Sequence, residues 1–99
     1  MNANNMDLQT LLRNDLAAIV DVRSPGEFHM GHVPGSINIP LQEVTARLDE
    51  LKALGKPVVL CCASGNRSGQ AERFLRQQGW TNVYNGGSWA DVEMLTEKA

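Results

Sequence analysis

The sequence predicts an α/β fold, a parallel sheet with helices on both faces, and three observations predict it. Short apolar runs alternate with amphipathic helical patterns from one end of the chain to the other. The most apolar run, Val58-Val59-Leu60-Cys61, reads as a buried strand. The polar stretch after it, Cys62 to Ser68, leads straight into a helical stripe of Ala71, Phe74, Leu75 and Gln78. A strand, a loop and a returning helix form the repeating unit of parallel sheets.

Each element has a local reason. Asp7 is placed to cap a short helix carrying Leu8, Leu11 and Leu12. Ala17 to Val22 is a strand that turns polar at Arg23-Ser24. Ser24-Pro25-Gly26-Glu27 has the form of a capping box with proline at the first helical position, opening a short helix through Phe28. Gly31 to Gly35 is turn chemistry, and Ser36 to Pro40 alternates as a brief strand that the proline ends. Leu41, Val44, Leu48 and Leu51 predict one amphipathic helix stopped by Gly55 and Pro57. After the central strand, a helix is expected from about Ser68 to Gln78, ended by Gly79. Thr81 to Asn85 reads as a short strand broken by Gly86-Gly87. Ser88 caps a last helix carrying Trp89, Val92 and Leu95.

The 99 residues suffice for a single domain over 1–99 with one core. An apolar share of 42% and a charged share of 20% are those of an ordinary globular chain. The net charge is −2 and there is no run of Lys or Arg, which argues against nucleic acid or an anionic membrane as partner. The longest apolar run, Val58 to Ala63, is far too short to span a bilayer. No secretory signal is visible in Met1 to Asp7, which leaves open an exported precursor already trimmed. The two cysteines are neighbours, and a bridge between neighbours staples no loop. Reduced thiols in the cytoplasm are the expectation.

Cys62 ends a strand where a polar loop opens a helix, a setting that suits nucleophilic chemistry. Loop N–H groups and the helix N-terminus surround the sulfur with positive potential and favour the thiolate. Such surroundings bring a thiol from about 8.5 into the range of roughly 3.5 to 7.5. Arg67 adds a planar donor fork suited to an oxyanion and is placed to fold back over the loop mouth, with a solvated or ion-paired side chain as the alternative.

Two segments together resemble the rhodanese family of sulfurtransferases. Asp21-Val22-Arg23 through Glu27-Phe28, Gly31-His32-Val33-Pro34-Gly35 and Asn38-Ile39-Pro40 is similar to the family's first signature. Cys62-Ala63-Ser64-Gly65-Asn66-Arg67-Ser68 is similar to the active-site loop of single-domain members. The ending Gly79-Trp80 through Val83 and Gly86-Gly87-Ser88-Trp89 completes a resemblance that covers about residues 7–92. The resemblance implies a three-layer α/β/α fold around a central parallel sheet of four or five strands. It implies transfer of a sulfane sulfur from thiosulfate or a similar small anionic donor to cyanide or a thiol, a protein thiol included. Cys62 matches the cysteine that carries the sulfur as a persulfide, and Ala63, Ser64, Gly65, Asn66, Arg67 and Ser68 match the loop that binds it. No metal or organic cofactor is implied. The N-terminal part is short, so the family's first edge strand is missing or reduced to residues 2–6, and Cys61 precedes the matched cysteine.

Other readings compete at single residues. Cys61 continues the strand and reads as a small buried hydrophobe, with a resolving thiol as the alternative. Asp21, Arg23 and Glu27 read as a structural signature rather than as acid or base. Zinc at His29, His32, Cys61 and Cys62 fits poorly, because the histidine spacing is short and adjacent cysteines ligate one ion awkwardly. His32 is expected to hydrogen-bond within its turn, and Trp80 and Trp89 to pack. Counted from Cys61, Cys61-x5-Arg67-Ser68 has the spacing of a cysteine-dependent phosphatase, but Leu60 stands where a histidine usually precedes the nucleophile. A non-catalytic binding module on the same fold is the third reading.

Overall fold

Asp7 begins the part described by the computed structural model, residues 7–97. Its carboxylate accepts the Thr10 N–H at 2.8 Å and caps α1 (Leu8–Arg13). After β1 (Ala18–Asp21), the capping box forms as the sequence predicts: Ser24 Oγ accepts the Glu27 N–H, and Glu27 Oε1 accepts the Ser24 N–H. This fixes α2 (Pro25–His29) at the end of β1. β2 (Ile37–Asn38) follows, then a 3₁₀ helix (Leu41–Ala46) and α3 (Leu48–Ala53). β3 (Val58–Cys62), α4 (Asn66–Gln77), β4 (Val83–Ser88) and α5 (Trp89–Thr96) complete the order.

The four strands lie in the order β2-β1-β3-β4, and every pairing is parallel. β3 is central and buried along its whole length. Alternation along β3 divides its side chains between two cores. Val58, Leu60 and Cys62 join Val44, Leu51, Ala71 and Leu75 under the 3₁₀ helix, α3 and α4. Val59 and Cys61 join Leu11, Leu12 and Val92 under α1 and α5. The predicted three layers are therefore present, with four strands among the described residues; the reduced edge strand expected at 2–6 lies outside them.

Three boundaries differ from expectation, each for a physical reason. The single helix expected over Leu41 to Leu51 is two, parted at Arg47 with φ −121°. Leu41 and Val44 are three apart, which is the 3₁₀ repeat, and the Arg47 guanidinium ties Glu43 on one side of the break to Glu50 on the other. α4 starts at Asn66, two residues early, because Gly65 takes the left-handed φ of +96° that begins it. Gly86-Gly87 does not break β4: the strand runs through both as a bulge, with Leu60 opposite Asn85 and Cys61 opposite Gly87. Gly86 is required there, since a Cβ would sit 2.6 Å from Val92 Cγ2 and 2.8 Å from Val59 Cγ1.

Candidate active site

Cys62 is the last residue of β3, at the carboxyl edge of the sheet, where open parallel sheets bind ligands. Its side chain faces the α4 side and is buried. Only Ala63, Ser64 and Gly65 separate it from α4, so the chain reverses tightly around the sulfur. The Gly65 N–H donates to Sγ at 3.0 Å and the Ser68 N–H at 3.5 Å, while Ser68 Oγ lies 3.4 Å away. Burial pushes the Cys62 thiol up, but the Ser68 hydroxyl and the N–H groups of Ser68, Ser64 and Gly65 outweigh it and bring it down from 9.0 to about 7. Cys61 has the opposite fate. It faces the other core, and burial, with the Asp21 carboxylate adding to it, pushes its thiol up to about 12. Two adjacent cysteines thus differ because strand alternation sends one to a donor-lined loop and the other into apolar packing.

The Arg67 guanidinium is held by Glu27, with Nη1 donating to Oε1 at 2.7 Å and Nη2 to Oε2 at 3.0 Å. The pair fastens the start of α4 to α2, and Arg67 holds the Glu27 carboxyl down to about 2. The negative sulfur of Cys62 in turn favours the Arg67 cation, after Glu27 itself.

The three sequence segments that matched a family motif therefore converge on this edge. A family model described as the rhodanese-like domain matches residues 5–92. The chain belongs to the rhodanese-like domain family. Its relatives include thiosulfate sulfurtransferase PspE of Escherichia coli (strain K12), 40% identical over 76 residues, which cover 76% of this chain and 73% of that protein. The uncharacterized protein YqhL of Bacillus subtilis (strain 168) is 45% identical over 69 residues, 70% of this chain; the match spans 54% of YqhL's length. Among solved structures, the rhodanese with anions from E. coli superposes with a TM-score of 0.68 at 38% identity, covering 76% of this chain and 89% of that one.

In this rhodanese-like chain the remaining signature residues build the rim. Asp21 and Arg23 form a buried ion pair, with Nε and Nη2 of Arg23 on the carboxylate at 2.8–3.0 Å. Arg23 also donates to the Gly31 carbonyl at 2.6 Å and lies 4.9 Å over the Trp89 ring, so this pair locks the end of β1 to the following turn and to α5. Asn38 Nδ2 donates to the carbonyls of both Asp21 and Arg23. His32 donates Nδ1–H to the Phe28 carbonyl at 2.8 Å and stacks on the Phe28 ring, a local bond made to α2 rather than the one expected within the Gly31–Gly35 turn. Trp80 and Trp89 pack against the two cores.

Of the predicted loop residues, Gly65 and Ser68 direct donors at the sulfur, Arg67 meets Glu27, and the side chains of Ala63, Ser64 and Asn66 are exposed. Sequence reasoning missed Asn85. From the bulge of β4, Asn85 Oδ1 accepts the Ser68 hydroxyl at 2.7 Å and the Gly87 N–H at 3.0 Å, and Nδ2 donates to the Gly65 carbonyl at 3.1 Å. The available signal was the Gly86-Gly87 pair directly after it.

Proposed function

We propose that this protein is a sulfurtransferase in which Cys62 carries a sulfane sulfur as a persulfide. One observation carries the reading: a thiol brought to about 7 by the backbone N–H groups of Ser68, Ser64 and Gly65 and by the Ser68 hydroxyl, at the carboxyl end of the central strand. The Cys62 thiolate attacks the outer sulfur of thiosulfate or a similar anion. The donor's S–S bond breaks, sulfite leaves with the electron pair, and a Cys62 S–S⁻ persulfide remains. A cyanide or thiolate acceptor then takes the terminal sulfur, and the bonding pair returns to Cys62. Both steps exchange one sulfur–sulfur bond for another bond to sulfur and need no redox partner, metal or organic cofactor. Because Gly65 and Ser68 are positioned before reaction, they stabilise charge on sulfur without reorganising. Arg67 meets the anionic donor by sharing or leaving Glu27. The name of PspE and the anions of the E. coli rhodanese support this assignment. A reduced compartment suits two free thiols, and among the described residues no helix is long and apolar enough to cross a membrane.

The phosphatase register would need Cys61 as nucleophile, and its burial with a thiol near 12 opposes this. Intact-protein mass after thiosulfate tests the proposal. The expected result is a gain of one sulfur, removed by cyanide, absent in Cys62→Ser and retained in Cys61→Ser. No gain in the parent chain, or a gain lost only in Cys61→Ser, overturns it.

A further inference from the structure

The sulfur's donors are held by one side chain outside the loop. Asn85 uses its whole amide: Oδ1 accepts from Ser68 Oγ and from Gly87 N, and Nδ2 donates to the Gly65 carbonyl. The amide orientation follows from these partners, since a flipped group would set NH₂ against an N–H and oxygen against a carbonyl. Gly65 and Ser68 are the two residues whose N–H groups donate to Cys62 Sγ. Asn85 therefore reaches behind both.

Three features of the fold are devoted to this placement. Regular pairing from Val83 onward sets Asn85 opposite Leu60, on the α4 side of the sheet, and the bulge at Gly86 follows it. At Gly69, in the first turn of α4, a Cβ would come within 3.3 Å of Asn85 Nδ2. At Gly65 a Cβ would come within 3.3 Å of Gly87 Cα, and its φ of +96° strains any other residue. Small residues on both sides thus let strand and helix start close on the amide.

We propose that Asn85 is a positioning residue for the sulfur of Cys62, holding Gly65 by its carbonyl, one peptide on from the N–H that meets the sulfur, and holding the Ser68 hydroxyl, so that both serve the charged thiolate. The role rests on the reading of Cys62 as the sulfur carrier. Ser68 has one hydroxyl proton and two neighbours that accept it. With Cys62 as a thiol, S–H donates to Ser68 Oγ and Ser68 donates to Asn85 Oδ1. With Cys62 ionised, Ser68 turns its proton to the sulfur, and Oδ1 keeps the Gly87 N–H. A persulfide moves the charge to the outer sulfur and returns the Ser68 proton to Asn85. Asn85 holds the hydroxyl in the one place from which both states are reached.

The test is the pH dependence of iodoacetamide alkylation in a Cys61→Ser background, where Cys62 is the sole thiol. Asn85→Ala frees the Ser68 proton from a competing acceptor but leaves Gly65 and Ser68 unplaced, and the loss of placement is expected to outweigh that release and raise the alkylation midpoint by about one pH unit. Ser68→Ala is expected to raise it too, and the double variant to rise by less than the sum, because both act on one contact. Asn85→Ser, whose side chain is too short to reach Gly65 and Ser68 together, serves the same purpose if Asn85→Ala does not fold. A merely structural Asn85 would lower the melting temperature and leave the midpoint in place. An unchanged or lowered midpoint in a folded Asn85 variant, or full additivity with Ser68→Ala, overturns the proposal. The readout needs no sulfur donor, so a failure of thiosulfate turnover in the parent chain is a separate result.

Discussion

The two cysteines make opposite contributions to folding stability as pH changes, and their difference is measurable. Cys62 is brought from 9.0 to about 7 in the folded chain. In the unfolded chain it holds its proton until about pH 9, so between roughly 7 and 9 the unfolded state binds more protons and stability rises with pH. Two units at about 1.4 kcal/mol each give about 3 kcal/mol, present in full above pH 9 and lost as pH falls through 7. Cys61 is raised from 9.0 to about 12, so above pH 9 the unfolded state sheds a proton that the folded state keeps. Its contribution falls by about 1.4 kcal/mol per unit over that range. Urea unfolding of the parent, Cys62→Ser and Cys61→Ser at about pH 6, 7.5, 9 and 10.5 separates the two. The deficit of Cys62→Ser is expected to grow by about 2 kcal/mol from the lowest of these to pH 9 and to approach about 3 kcal/mol above it, a large part of the 5–15 kcal/mol of a typical domain. The Cys61→Ser variant is expected to gain on the parent above pH 9. A deficit for Cys62→Ser that does not change with pH would refute the account of donors tuning its sulfur.

Three other substitutions probe the Arg67–Glu27 pair and the bulge. Arg67→Ala is expected to raise KM for thiosulfate roughly tenfold or more, since charge-assisted hydrogen bonds are worth about 1.5–3 kcal/mol, with little effect on cyanide attack at a preformed persulfide. Glu27→Gln frees the same guanidinium and is expected to lower that KM; steady-state kinetics showing a rise instead would mean that Arg67 works only when Glu27 holds it. Gly86→Ala forces a methyl into Val92 and Val59 and is expected to cost about 1–3 kcal/mol, seen as a drop in melting temperature of several degrees. An unchanged melting curve would show that the bulge opens freely.

Local rules carried much of the fold. The Asp7 cap, the Ser24–Glu27 capping box and the Ser88 cap, whose Oγ accepts the Asp91 N–H, all depend on groups three residues apart, and all are present. Cys62 was legible because an apolar run turns polar at that residue. The reading faltered where a position is decided by a distant partner. Nothing near Arg67 in sequence reveals that its fork is claimed by Glu27, 40 residues away. Asn85 followed by Gly86-Gly87 has the form of a strand end, and only the packing of Val59 and Val92 against Gly86 makes it a bulge within the strand. Hydrophobic periodicity is blind to a polar side chain whose partners, Gly65 and Ser68, lie 20 and 17 residues away.

The division of the two cysteines between opposite faces of β3 also decides how the site meets oxidants. Redox sensors commonly pair a reactive thiol with a resolving partner that traps a sulfenic acid as a disulfide. Here the sheet itself stands between Cys62 and the thiol beside it in sequence, and both are free. Peroxide reaching Cys62 therefore meets a residue with no internal rescue. Recovery depends on a thiol from outside, and without one the sulfur advances toward the irreversible sulfinic and sulfonic states. The arrangement that sends the Cys61 thiol into the opposite core leaves a sulfenic acid at Cys62 exposed to that loss.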